Sequence, residues 1–338
     1  MRYAFWNNKG GTGKTSLAFQ SICQYASMHP TERILVIDAC PQANLSELFL
    51  GGLTGKGGQK LLQQQGLMPR CSIGGYFQLR LPSPYNVPTF NPNDFITNPS
   101  TKNALIPTNI DLVCGDPMLE LQANATNTLA NNQIPGTDSW LSVIDWINDF
   151  IAPIEANYNA IFIDCNPSFS IYTQIALAST QRIVLPVMAD DSSRRAVQNA
   201  LSLLFGLRLP SPIYANFAFN TKLTAAGRTL PQVHLIVKNR ITQYMGPASA
   251  YSAVLSEIDS DLTALLSSHP THFTFSTVGS GTVEIRDFQT TGVVAFARGC
   301  PVFRLRSGRQ DIGGHRVDVK EDYRLNVLAA ITSLSQRL

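Results

Sequence analysis

The feature that most constrains this chain is the stretch Asn8-Lys9-Gly10-Gly11-Thr12-Gly13-Lys14-Thr15-Ser16. It follows an apolar run, Arg2 to Trp6, and opens a segment from Lys14 to about Met28 that is long enough for a helix. Glycines let successive backbone N–H groups turn towards one point, and a helix N-terminus adds positive potential there. Strand, glycine-rich turn and helix in that order form a phosphate cradle. Lys9, Gly10, Gly11, Thr12, Gly13, Lys14, Thr15 and Ser16 are therefore the candidate phosphate-binding residues. Lys14 is spaced to reach the β- and γ-phosphates, and the Thr15 hydroxyl to sit on their Mg²⁺.

The same strand-and-helix rhythm continues along the chain. Arg33–Asp38, Ala160–Asp164, Ile183–Val187 and Val233–Val237 are apolar without alternation, as parallel strands covered on both faces are. Candidate helices lie at about 139–156, 169–179 and 193–207. The fold class this implies is α/β, a doubly wound, mostly parallel sheet flanked by helices. A single domain over 1–338 is expected, with an irregular insertion at about 51–104 and a proline-bearing loop or arm at about 209–231. Within the insertion only a helix near Gly58–Gln65 is readable.

Composition narrows the function classes. An apolar share of 44% excludes a disordered chain, and no run of eighteen apolar residues offers a membrane span. The six cysteines are scattered without a C-x-x-C pair, which argues against a zinc ribbon. Without an export signal at the N-terminus, a cytoplasmic location is the expectation. The charge is uneven. Residues 101–181 carry one base and eight acids, whereas residues 182–250 carry eight bases and two acids. A basic second half is what a polyanion-binding face requires.

The loop departs from the general phosphate-loop pattern, which has glycine where this chain has Asn8, and it carries an extra lysine, Lys9. In this it resembles the deviant Walker A box of the ParA/MinD family of partition and positioning ATPases. Ile34 to Ser46, containing Asp38-Ala39-Cys40-Pro41-Gln42-Ala43-Asn44, is similar to the family's second box. Ile161 to Pro167, containing Asp164-Cys165-Asn166-Pro167, is similar to its Walker B strand. Asp111–Gly115 resembles a further family strand. Asn239 stands where the family reads adenine, and Glu284–Asp287 before Gly299–Val302 resembles the segment lining that pocket. Residues 51–104 are unmatched.

The resemblance implies slow hydrolysis of ATP with Mg²⁺, in a homodimer that sandwiches the nucleotide. Lys9, Lys14 and Asp38 become the catalytic candidates, with Lys9 acting across the dimer, and Thr15, Asp38 and Asp164 the metal candidates. The family's second acid, which orients the attacking water, is replaced by Cys40. A thiol is a weak acceptor, which leaves three outcomes open: Asp38 or another acid positions the water, hydrolysis is slow, or the chain works as an ATP-bound switch. Partition members bind DNA without sequence preference and answer to a ParB-like centromere-binding or cargo adaptor. Arg194, Arg195, Arg240, Arg286 and Arg298 are the candidate DNA contacts, in a cytoplasmic, nucleoid-associated protein. No helix-turn-helix precedes the loop, so operator-specific repression is not expected. A protein cargo instead of DNA is the alternative. A third reading, an iron–sulfur relative on the same fold, would need Cys114 and Cys165 at exposed sites. The last segment, 322–334, has apolar residues at helical spacing but lacks a basic face, so it is expected to pack on the sheet rather than on a membrane.

Overall fold

The computed structural model describes residues 1–188, 190–241 and 250–338. Seven parallel strands form the central sheet: β1 (Arg2–Phe5), β2 (Ile34–Ala39), β3 (Ile110–Val113), β4 (Ala160–Cys165), β5 (Arg182–Met188), β6 (Gln232–Ile241) and β7 (Thr282–Arg286), in the order β3-β2-β4-β1-β5-β6-β7. A separate antiparallel hairpin pairs β8 (Gly308–Ile312) with β9 (His315–Val319). The helices are α1 (Lys14–Met28), α2 (Asn44–Phe49), α3 (Gly57–Gln65), α4 (Ile73–Arg80), α5 (Met118–Asn131), α6 (Ser139–Ile144) and α7 (Trp146–Ile151). They continue with α8 (Ile171–Ala178), α9 (Asp191–Phe205), α10 (Phe219–Ala225), α11 (Ala250–Ser268), α12 (Val278–Gly281), α13 (Gln289–Ala297) and α14 (Glu321–Ser335).

Side chains of the five inner strands β1, β2, β4, β5 and β6 alternate between two apolar cores, one on either face. On β2, Leu35, Ile37 and Ala39 enter one core while Ile34 and Val36 enter the other. That explains why these strands read as unbroken apolar runs. The first core is closed by α4 to α11, and the second by α1, α2, α13 and α14. The C-terminal helix α14 packs on α1 as expected, where Gln24 donates to Thr332 at 3.1 Å and Ser335 to the Ser21 carbonyl at 3.0 Å. Among the described residues no helix is long and apolar enough to cross a membrane.

Three segments differ from the sequence expectation. The helix expected at 139–156 is interrupted at Asp145, whose carboxylate takes a hydrogen bond from Asn148 at 2.8 Å and pairs with Arg228. Residues 209–231 keep an exposed loop but fold back at their middle. Pro212–Phe217 forms a 3₁₀ turn and α10 folds back, burying Phe219 edge-on to Trp140 and Phe169. The insertion contains the expected helix, α3, and a second one, α4, which buries Ile73, Tyr76 and Phe77 against the first core.

The helix α4 also buries an ion. Arg80 is 1% exposed and donates to Asp149 at 2.6 Å and to the Tyr76 hydroxyl at 3.0 Å. Removing only the carboxylate leaves a guanidinium without a counter-charge in the interior. We expect Asp149→Ala to lower stability by about 3 kcal/mol. Urea unfolding should show this as a lower midpoint at unchanged slope.

Candidate nucleotide site

Parallel strands present their carboxyl ends, and the loops that follow them, along one edge of the sheet. The phosphate loop leaves β1, the strand between β4 and β5, so it stands at the middle of that edge. Asn7 anchors it. The buried amide donates to the Pro186 carbonyl at 2.7 Å and accepts from the Lys9 N–H at 2.9 Å. Sequence reasoning passed over Asn7, and only its burial beside β5 shows what it does.

Gly11 and Gly13 take φ values of +75° and +83°, which L side chains rarely adopt. A Cβ at Gly10 or Gly11 would meet nothing within 4 Å, so the loop opens outward as a cradle. A Cβ at Gly13 would run into the Asn239 amide. The helix α1 begins at Lys14, with Gly13 as its cap and no capping side chain, so its first N–H groups are left for an anion. Lys14 lies over the loop, its ammonium 3.4 Å from the Lys9 carbonyl. Burial lowers its pKa, and Asp164 opposes that shift.

The two acids come together as the register dictates, with Asp38 opposite Asp164 on adjacent strands. Their environments differ. Asp38 is fully buried and accepts from the Cys40 N–H at 3.2 Å, the Ser46 N–H at 2.9 Å and the Ser46 hydroxyl at 2.7 Å. Both of its oxygens therefore brace the turn that starts α2. Asp164 accepts from the Thr15 hydroxyl at 2.8 Å through one oxygen, and its buried Oδ1 has no partner. Burial raises both carboxyls, Asp38 to about 6 and Asp164 to about 7, the latter also through repulsion from Asp38. A hydroxyl and an unpartnered buried carboxylate oxygen beside a phosphate cradle are the oxygen donors that Mg²⁺ takes. Thr15 and Asp164 thus fit a metal, whereas both Asp38 oxygens are already engaged by Cys40 and Ser46.

Cys40 is 7% exposed, and burial beside Asp38 and Asp164 pushes its thiol up to about 12. A thiol held in this way stays protonated near neutral pH, which makes it a poor nucleophile and a weak hydrogen-bond acceptor. Asn239, at the end of β6, donates to the Thr12 carbonyl at 2.9 Å. It borders a cavity of about 360 Å³ with Gly13, Ser16, Arg240, Asp287, Phe288 and Gln289. Asp287, from the segment expected near adenine, borders this cavity with Asn239, whereas Gly299–Val302 does not, and Cys300 lines a different cleft.

The candidate DNA arginines divide. Arg194 and Arg195 at the start of α9, Arg240 at the end of β6 and Arg286 at the end of β7 all lie at the nucleotide edge. Arg240 and Arg286 sit on adjacent strands and are exposed, while Arg194 pairs with Glu257 at 3.3 Å and Asp261 at 3.6 Å. Arg298 lies apart, in a cleft shared with Arg304 and Arg306. Elsewhere in the basic stretch, Lys238 pairs with Asp259 at 2.8 Å, Arg228 with Asp145, and Lys222 covers the Trp140 ring. Cys114 and Cys165 are 0% and 1% exposed, which removes the exposed ligands that the iron–sulfur reading needs.

A family model described as an AAA domain matches residues 2–206. The chain belongs to this family. An ATP complex of an McdA variant from Cyanothece is 14% identical over 98% of this chain and 95% of its own, with a TM-score of 0.58. A plasmid partition protein from Borrelia burgdorferi is 14% identical over 98% of this chain and 96% of its own, with a TM-score of 0.52. At such identities the likeness shows the fold, which is that of ParA/MinD-like P-loop ATPases. A protein of Rhizobium rhizogenes is 27% identical over 182 residues, 54% of this chain and 38% of its own length. The chain spans less than half of that relative.

Proposed function

We propose that this AAA-family chain is a partition ATPase that dimerises around ATP and Mg²⁺, grips DNA without sequence preference in that state, and lets go when a centromere-binding or cargo-adaptor partner speeds hydrolysis. The observation that carries the reading is the second loop lysine. While Lys14 stays over the loop, the Lys9 ammonium is held by Asp190 at the end of β5, 2.7 Å from each carboxylate oxygen. A lysine whose ammonium turns to Asp190 rather than to the loop supports a role at the cradle of a second copy, reached by exchanging that partner for the other copy's phosphates. Supplied across a dimer, it would stabilise charge developing on the leaving oxygens, as an arginine finger does.

Within one subunit the geometry supports the following roles. The loop amides and Lys14 hold the phosphates, Thr15 and Asp164 face the metal, and Asn239 offers its amide oxygen to the adenine amino group. Bound Mg²⁺ would withdraw charge from the phosphates and orient them. Arg194, Arg195, Arg240 and Arg286 share the nucleotide edge, so a change in nucleotide state alters the surface that meets DNA. A cytoplasmic, nucleoid-associated protein follows from this reading.

The internal contacts of Lys222, Arg228 and Lys238 withdraw bases from the phosphate-binding set and favour a second reading, a protein cargo. Anisotropy of a labelled non-specific duplex with ATP, ADP or no nucleotide separates the two. Binding with ATP alone is expected, weakening steeply with salt and by roughly ten-fold or more in Arg240→Glu/Arg286→Glu. No binding in any nucleotide state would move the protein-cargo reading to first place.

A further inference from the structure

The position next to the paired acids is where a water would approach a phosphate held in the loop. On this edge Asp38 faces Asp164 and Ala39 faces Cys165, so the next residues, Cys40 and Asn166, stand side by side at the mouth. Cys40 has no carboxylate to offer, and its thiol is only a weak donor and acceptor. Asn166 is the neighbouring polar group, its amide oxygen accepting a weak hydrogen bond from the Cys40 thiol at 3.7 Å and keeping a second lone pair for a water.

The orientation of that amide is fixed by its other end. Asn166 Nδ2 donates to the Tyr172 hydroxyl at 2.7 Å and to the Ser168 hydroxyl at 2.8 Å. The Tyr172 hydroxyl in turn donates to Glu120 at 2.9 Å, which leaves its oxygen free to accept from Asn166. Both amide hydrogens are thereby occupied from α8 and the loop before it, and the carbonyl oxygen is left facing Cys40 and the mouth. A rotation by half a turn would set the amide oxygen against a hydroxyl already donating to Glu120. The side chain is half-buried, so solvent reaches it from the nucleotide edge.

We propose that Asn166 is the water-positioning residue of this ATPase, its amide oxygen taking the place that a carboxylate at position 40 would occupy. The proposal rests on the reading of the chain as an ATP-hydrolysing enzyme. The water oxygen bonds to the γ-phosphorus, and the bond from that phosphorus to the bridging oxygen breaks with its electron pair leaving on ADP. The water's proton passes to the released phosphate. Asn166 accepts a hydrogen bond throughout and exchanges no proton, so a neutral amide suffices. Orienting a water with an amide is established chemistry for nucleotide hydrolysis.

The test uses steady-state ATPase kinetics and equilibrium binding of ATP with Mg²⁺ in the wild type, Asn166→Ala, Cys40→Asp, the double variant Cys40→Asp/Asn166→Ala, and Tyr172→Phe. Asn166→Ala is expected to lower kcat roughly ten-fold or more while KM and the ATP Kd stay within about two-fold. Cys40→Asp should restore turnover in the Asn166→Ala background, because it returns an acceptor to the same place. Tyr172→Phe, which unlocks the amide without removing it, should lower kcat to a smaller extent. An unchanged kcat in Asn166→Ala overturns the assignment. So does a parallel loss of ATP binding, or a double variant no faster than Asn166→Ala. A wild type that binds ATP and dimerises but never hydrolyses it overturns the assignment and leaves the switch reading standing. A wild type that binds no ATP overturns both.

Discussion

Asp164→Asn is expected to resist unfolding better than the wild type at pH 8 without nucleotide, and yet to lose Mg²⁺-dependent retention of ATP. The native carboxyl is raised to about 7 by burial and by repulsion from Asp38. A group whose folded pKa lies above its unfolded value stabilises the fold through its protonated form. That contribution is complete below the ordinary carboxyl range, near pH 4, and is lost as pH rises through about 7. At pH 8 the nucleotide-free protein must hold a buried anion whose Oδ1 is unpartnered. An amide keeps the shape and removes that charge. Thermal melts of the wild type should therefore rise as pH falls from 8 to 5.5, and those of Asp164→Asn should change less. Retention of ATP with Mg²⁺ should weaken in the variant by roughly 10- to 100-fold, while binding in EDTA stays near the wild-type value. A variant that melts lower than the wild type at pH 8 would mean that the Thr15 hydrogen bond stabilises the anion by more than burial costs it. A higher melt would fit the proposed role of Asp164 beside a cation, whose charge would offset that of the buried carboxylate.

The phosphate loop was legible because its glycines are demanded by backbone geometry at fixed spacing, and the φ values of Gly11 and Gly13 show the demand. Asp38 and Asp164 were legible as acids ending strands. That Asp38 commits both oxygens to its own turn was not, because the partner, Ser46, lies eight residues on and meets it only once α2 has folded. The helix α4 was hidden for a similar reason. Its Gly74 and Gly75 break helical propensity, but they let the backbone pack against Asp116 and Arg70, contacts that no local pattern encodes. The hairpin of β8 and β9 did carry a readable sign, Gly313-Gly314 between Ile312 and His315, which is the two-residue turn such hairpins favour. The basic stretch misled in detail. Lysines and arginines counted along the chain reveal a sign, whereas ion pairs such as Lys238 with Asp259 appear only in three dimensions.

Lys9→Ala and Asp190→Asn are expected to move dimerisation in opposite directions. If Lys9 serves a second copy, it must first leave the carboxylate that holds it within its own subunit. The lysine side chain is 24% exposed and the aspartate 39%, so solvent screens the contact and its loss costs about 1 kcal/mol or less. Such a hold is weak enough for a partner's nucleotide to break, yet it sets the ATP concentration at which dimers form. Sedimentation across an ATP titration should show Asp190→Asn dimerising at a lower concentration, by up to about five-fold, since 1.4 kcal/mol corresponds to ten-fold. Lys9→Ala should remain monomeric throughout and turn over ATP slower by roughly 10³-fold, as when an arginine finger is withdrawn. Its ATP Kd as a monomer should hardly change, because Lys14 and the loop amides belong to the same subunit. If instead Lys9→Ala dimerises normally, the second lysine serves its own cradle or Asp190 alone, and the trans role must be given up. If Asp190→Asn dimerises less readily, the carboxylate belongs to the interface itself rather than restraining the lysine.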